Sequence, residues 1–437
     1  MKSPFTSFRG HTVLDNVGLF AVLGLFVANA FHFNIYGDYP FYRELFGALF
    51  VALSGWYLLT KTPVLRGGVV EMSRPISYLL VFPIALSCWS IIDPGEPLYG
   101  IFELDRVTEQ VGEHFMTLYV LRNASLYLPL VVYLYLRGLS LQEIRLVALT
   151  AALVAPFSVL AYLKTGELAK MGVTLGQVVG LGGKDIAYNS YVPYLTFSVL
   201  CGIYLLFSSG GRLIKIVVLC CVAVTSFFIV ASTSRQSVMF VLLAFFAFAF
   251  WTNHRGRLGS KWLTAGVTVV VGVCVFAYLT RGIDFASNFL DRFASAQGFF
   301  SDESSGRLDE AIEGLSLLKP SGLLLGAGLT CVINSGPHND YIRWAQRIGI
   351  PLMVFGFLPF FMTFVGSARL VRRYRDGNTL FIFLGLTVGF TLFHSLFGYP
   401  REDANQAIPV YFGLALWFGA YREGLIPNVE RSQKKAL

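Results

Sequence analysis

The sequence predicts an all-α polytopic integral membrane protein of about twelve transmembrane helices, with a large, partly helical loop between spans nine and ten. Three observations carry that prediction. Hydrophobic residues fill 55% of the 437 positions and charged residues only 14%, a balance outside that of soluble globular domains. About twelve apolar stretches approach the ~17–25 residues that a helix needs to cross a bilayer. The Lys and Arg residues alternate from one connecting segment to the next.

In chain order the apolar stretches lie near 13–36, 41–60, 75–92, 116–136, 144–163, 189–208, 213–232, 236–252, 262–280, 345–366, 379–397 and 405–421. Several contain Gly or Pro, which membrane helices tolerate because neighbours re-satisfy the backbone. Segments 1–11, 61–74, 137–145, 209–215, 253–261, 367–377 and 422–437 hold 20 of the 34 Lys and Arg residues but only five acidic ones. Twelve crossings put all seven segments on one face, and the positive-inside rule makes that face, with both termini, cytoplasmic. The net charge of +8 is thereby accounted for by topology, and nucleic acid is not expected as a partner. The opposite face carries the acidic loops 93–115 and 164–188 and the longest loop, 281–340. Lys2 and Arg9 precede an apolar run in which Ala28-Asn29-Ala30 resembles a signal-peptidase site. The run continues through Phe31 to Tyr36 and keeping it preserves the charge alternation, so an uncleaved first span is expected. The organisation is then an N-terminal set of transmembrane helices at 1–224, a second membrane region at 225–421 that includes the long loop, and a cytoplasmic tail at 422–437.

Several chemistries have little support. Cys88, Cys201, Cys220, Cys221 and Cys274 fall in apolar spans, leaving Cys331 alone on the outer face, so neither a disulfide framework nor a zinc site is indicated. Glu103 and Asp105 form an E-x-D pair suited to a divalent ion, but Arg106 follows directly and a solvated acidic loop is the simpler reading. GLGGKD at 180–185 fails as a phosphate-binding loop, because Val178 stands where its first glycine belongs and Asp185 replaces the hydroxyl residue. No metal or cofactor is expected.

The residues that suggest chemistry gather on the outer face. Spans seven and eight form a tight hairpin whose tip places Arg235 among Ser232, Thr233, Ser234 and Ser237; a guanidinium ringed by hydroxyls suits phosphate oxygens. Arg122 lies near the outer end of span four, where a charge needs a cavity or a partner. In the long loop, Ser305 opens a helix whose first turn holds Arg307, followed by Asp309 and Glu310, and Gly322, Gly326 and Gly328 allow close backbone approach. Gly336 and Pro337 suit a helix entry, which puts His338 in the first turn of a membrane helix, where free N–H groups favour an anion and a neutral imidazole. Asn339, Arg343 and Arg347 recur every four residues along one face that wants an anion or carboxylates such as Asp309. His394 falls inside span eleven as a packed or hydrogen-bonded histidine, and Arg401, Glu402 and Asp403 sit at the membrane edge.

These features resemble the bacterial O-antigen ligase and polysaccharide polymerase superfamily, whose members share the many-span C-type glycosyltransferase fold. Ser234-Arg235, Ser305-Gly306-Arg307, Gly326-x-Gly328, His338-Asn339 followed by Gly349, and the closing HSLFGYP carry the resemblance, which covers roughly 225–420. Met239 and Leu352 depart from the ligase motifs. The resemblance implies an inverting, metal-independent glycosyltransferase that uses a glycan on undecaprenyl diphosphate, at the periplasmic face of the bacterial inner membrane. His338 would be the general base and Arg235, Arg307, Arg343, Arg347 and Arg122 would hold the diphosphate, with Ser234, Asn339, Asp309 and Arg401 in support. The two departures, with PHNDYIRW, lean toward a polymerase that extends a lipid-linked repeat unit; the alternative is a ligase that transfers the glycan to lipid A core. A polysaccharide transporter or flippase would instead require polar residues near the midplane repeated between two halves, and no internal repeat is visible.

Overall fold

The computed structural model describes residues 13–31, 42–60, 74–92, 121–122, 125–164, 188–208, 211–231, 235–253, 320–326, 328, 339–374, 378–396 and 404–426. Within these the chain is a bundle of helices: α1 (Val13–Ala30), α2 (Tyr42–Thr60), α3 (Arg74–Ile92), α4 (Leu128–Arg137), α5 (Leu141–Lys164), α6 (Tyr188–Phe207), α7 (Arg212–Ala231), α8 (Arg235–Asn253), α9 (Pro320–Leu325), α10 (Asp340–Arg373), α11 (Asn378–His394) and α12 (Ala404–Arg422). Among the described residues, four helices are long and apolar enough to cross a membrane: α1, α5, α7 and α10. The predicted ninth span, 262–280, and the loop 281–319 lie outside the described residues.

Apolar side chains on several helices remain exposed around the outside of the bundle, including Phe20, Leu59, Phe157, Leu213, Leu243, Phe246 and Phe361. Aromatic packing fills the interior. Phe26 of α1 packs against Tyr194 and Phe197 of α6 and against Phe412 of α12, and Tyr204 stacks on Phe383 at 4.4 Å. Gly18 of α1 lies under Tyr133 of α4, where any Cβ would collide with the phenol.

The helix ends sort into two groups. At one end, the Arg137 guanidinium pairs with Glu143, and both side chains are buried. Ser140 and Glu143 form a reciprocal cap: Ser140 N–H donates to Glu143 Oε2 (2.9 Å) and Glu143 N–H donates to Ser140 Oγ (3.3 Å). Leu139 N–H donates to Gly419 O (2.9 Å), tying this corner to the end of α12. At the other end, Tyr42 Oη donates to Asn29 Oδ1 (3.0 Å), and the first turn of α10 meets the last turn of α11.

Two departures from the expected spans have local causes. The fourth span is not a continuous helix: α4 begins only at Leu128, with Pro129 in its first turn. Proline cannot donate a backbone hydrogen bond, so the ladder restarts there. α10 runs for 34 residues, longer than the expected 345–366, and is broken at Gly349, whose φ of 77° and ψ of 163° are not helical. Opposite the break stands Gly326, also at a φ of 77°. The two glycines allow main chain to pack on main chain: a Cβ on Gly349 would run into the Leu324 carbonyl, and one on Gly326 into the Arg347 carbonyl. Pro351 follows, and Gly328 N–H donates to Arg347 O (3.0 Å).

Gly349→Ala combines a left-handed residue with a backbone collision, so thermal unfolding in detergent should show a loss of about 1–3 kcal/mol. Gly55→Ala, in open space on α2, serves as control and should leave the midpoint close to wild type.

Candidate functional site

The residues suggested by the sequence meet at the start of α10. Asn339 adopts an extended backbone (φ −145°, ψ 110°) and caps the helix, its Oδ1 accepting from Ile342 N–H at 3.2 Å. The helix therefore starts at Asp340, not at Pro337, and His338 precedes the cap instead of occupying the first turn. Asn339 wins the cap because its carboxamide oxygen satisfies a free N–H, which proline at the expected first position cannot do. Asn339 is also removed from the expected helical stripe, which begins at Arg343.

This first turn is stitched to the end of α11. Asp340 is fully buried; its N–H donates to Ser395 O (2.8 Å) and its Oδ2 accepts from Ser395 Oγ (3.4 Å). Asn339 Nδ2 donates to Leu396 O (3.2 Å), and Tyr341 Oη donates to Leu392 O (2.8 Å). His394 is buried as expected, stacked on Phe390 (5.6 Å, 4°) and hydrogen-bonded through Nδ1 to Gln236 Nε2 (2.9 Å). Gln236 follows Arg235, the first residue of α8, so the start of α8, the start of α10 and the end of α11 share one junction. In sequence, Ser234 immediately precedes the start of α8 and His338 immediately precedes the Asn339 cap of α10.

α3 supports the half-helix from another side. Phe82 meets Trp344 edge to face at 6.0 Å, and Leu86, Ile348 and Phe357 complete a small apolar cluster against which Leu121 packs. The next residue, Arg122, pairs with Glu44 of α2. Both side chains of this pair remain partly exposed. Nearby, Arg43 is buried, with Nε donating to Tyr42 Oη at 3.0 Å.

Arg347 is 2% exposed and Arg343 half-buried. With Asp340 as the carboxylate on the same segment, residues 339–348 carry two cations against one anion. The half-helix thus carries charged side chains that are buried or half-buried. Among the described residues no group of three or more His, Cys, Asp or Glu side chains gathers. His338, Arg307, Ser234, Asp309 and Arg401 lie outside the described residues, and of Arg235 only the backbone position is described.

The sequence reading passed over Asp340, Gln236, Ser395 and Glu44. Asp340 carried a signal: an aspartate directly after an Asn cap, in a segment leading into a span, is too costly to leave unpaired. The Glu44 pairing bridges 78 positions and carried none. No protein-family model matches the chain, and no curated protein matches it significantly.

Asn339→Ala removes the cap and the bond to Leu396 together and should lower stability by roughly 1–2 kcal/mol in detergent unfolding. Asn339→Asp keeps the cap acceptor but loses the donor, and should fall between Ala and wild type in the same measurement.

Proposed function

We propose that the protein is an inverting glycosyltransferase that moves a glycan from undecaprenyl diphosphate to an acceptor hydroxyl at the periplasmic face of the bacterial cytoplasmic membrane. The supporting observation is the junction itself: the fold brings the Arg235 helix start, the capped half-helix with Arg343 and Arg347, and the 394–396 turn to one end of an apolar bundle. In this reading both termini are cytoplasmic and the chain crosses the membrane twelve times.

The acceptor hydroxyl oxygen attacks the anomeric carbon, His338 takes the hydroxyl proton, and the bond from that carbon to the diphosphate oxygen breaks. The leaving lipid diphosphate keeps the electron pair. Its charge falls on Arg235, Arg307, Arg343 and Arg347, fixed cations that stabilise it without having to reorganise. Attack from the face opposite the leaving group inverts the anomeric centre. Arg347 is buried, and its main-chain carbonyl accepts from Gly328 N–H (3.0 Å).

Purified protein given the lipid-linked repeat unit in EDTA should form product, and His338→Ala should lower the rate by about 10²–10⁴-fold. A ladder of lipid-linked products identifies a polymerase; product only on lipid A core identifies a ligase. Full activity of a folded His338→Ala variant would remove the general-base role.

A further inference from the structure

Gln346 is 2% exposed, and its Nε2 is buried without a hydrogen-bond partner among the described residues. Gln236 differs in that its Nε2 engages His394 at 2.9 Å, although its Oε1 is likewise buried without a partner among the described residues. A buried amide left without hydrogen bonds is among the costlier features a fold can carry, and buried polar groups in native proteins are nearly always answered by protein, water or ligand.

Its position indicates what answers it. At about 100° per residue, Gln346, Arg343, Arg347 and Asp340 fall in that order on one ~120° arc of the half-helix. Trp344 and Ile348 lie outside that arc and pack on Phe82 and Leu86 of α3. The half-helix thus has an apolar side that holds it in the bundle and a polar side whose four members are buried or half-buried. A phosphate oxygen only accepts hydrogen bonds, and the two arginines supply donors for it. A carboxamide both donates and accepts, which is the complement of a hydroxyl.

We propose that Gln346 reads the sugar of the lipid-linked substrate, its Nε2 donating to a ring hydroxyl oxygen and its Oε1 accepting from a hydroxyl, while Arg343 and Arg347 hold the adjoining diphosphate. The assignment rests on the function proposed above. It makes Gln346 a residue of substrate selectivity, with the proton transfer and charge stabilisation left to other groups. Its contribution appears only when a glycan is attached.

The test uses the full-length protein in detergent and two probes: the lipid-linked repeat unit extracted from the producing cells, and bare undecaprenyl diphosphate made by removing its glycan. Binding of each is measured for wild type, Gln346→Leu and Gln346→Met. Gln346→Leu should weaken the glycan-bearing lipid about 10–100-fold and leave the bare diphosphate within twofold, because a site built to bond a hydroxyl loses that bond alone. Gln346→Met is uncharged, close to glutamine in size and without the amide, so it should give the same selective loss and carries the test where the leucine variant does not fold. Equal weakening of both lipids, or no change in either, overturns the assignment. Wild type that binds neither lipid overturns the proposed function, and this inference with it.

Discussion

A helix that breaks inside an apolar bundle has to find new partners for the backbone groups the break releases. α10 breaks at Gly349, and the solution is main chain against main chain: Gly328 N–H donates to the Arg347 carbonyl, with Gly326 and Gly349 clearing the space. Unsatisfied peptide groups away from water are too costly to persist, so this contact is the condition for the half-helix to exist as a separate element. It also fixes the orientation of residues 340–348 relative to the span that follows. The cap at Asn339 and the bonds to Ser395 and Leu396 hold the other end, so the polar segment is clamped at both termini.

That clamp explains why charged side chains are tolerated here. Asp340, Arg343 and Arg347 lie on a segment with an apolar anchor, Trp344 and Ile348 against α3, and a polar face. The anchor carries the apolar packing, while Asp340 on the polar face is bonded to Ser395. The Arg137–Glu143 pair at the opposite end is a different case: both charges are consumed by each other and by the Ser140 cap, and that corner reads as architecture. Arg122, paired with Glu44, belongs closer to the second kind than to the first.

Much of the bundle is legible in the sequence because bilayer physics is a coarse filter. Eleven of the twelve apolar stretches coincide with described helices or parts of them. What escaped was local or long-range. Gly336 and Pro337 signal a helix start ahead of the true one, and that Asn339 serves as the cap depends on its side-chain oxygen reaching the free N–H of Ile342, a distance that spacing does not contain. Gly349 followed by Ile350 and Pro351 reads as a tolerated irregularity, whereas it becomes a break once Leu324 supplies a backbone to press against it. Gln346 was passed over because a glutamine beside an arginine looks like ordinary surface; only its burial sets it apart.

The polar half of α10 also constrains how the protein is made. A chain emerging into a membrane is sorted segment by segment according to how well each partitions into lipid. The apolar run that satisfies this sorting begins after the break, while each charged residue in 340–348 weighs against insertion by a few kcal/mol near the centre of a membrane. The half-helix therefore cannot be placed by partitioning and has to be placed by docking. Its docking partners are α3, already synthesised, and the end of α11, synthesised afterwards. The site is thus completed late, once the chain beyond it has been inserted and has folded back, which makes its assembly dependent on segments that lie on both sides of it in the sequence.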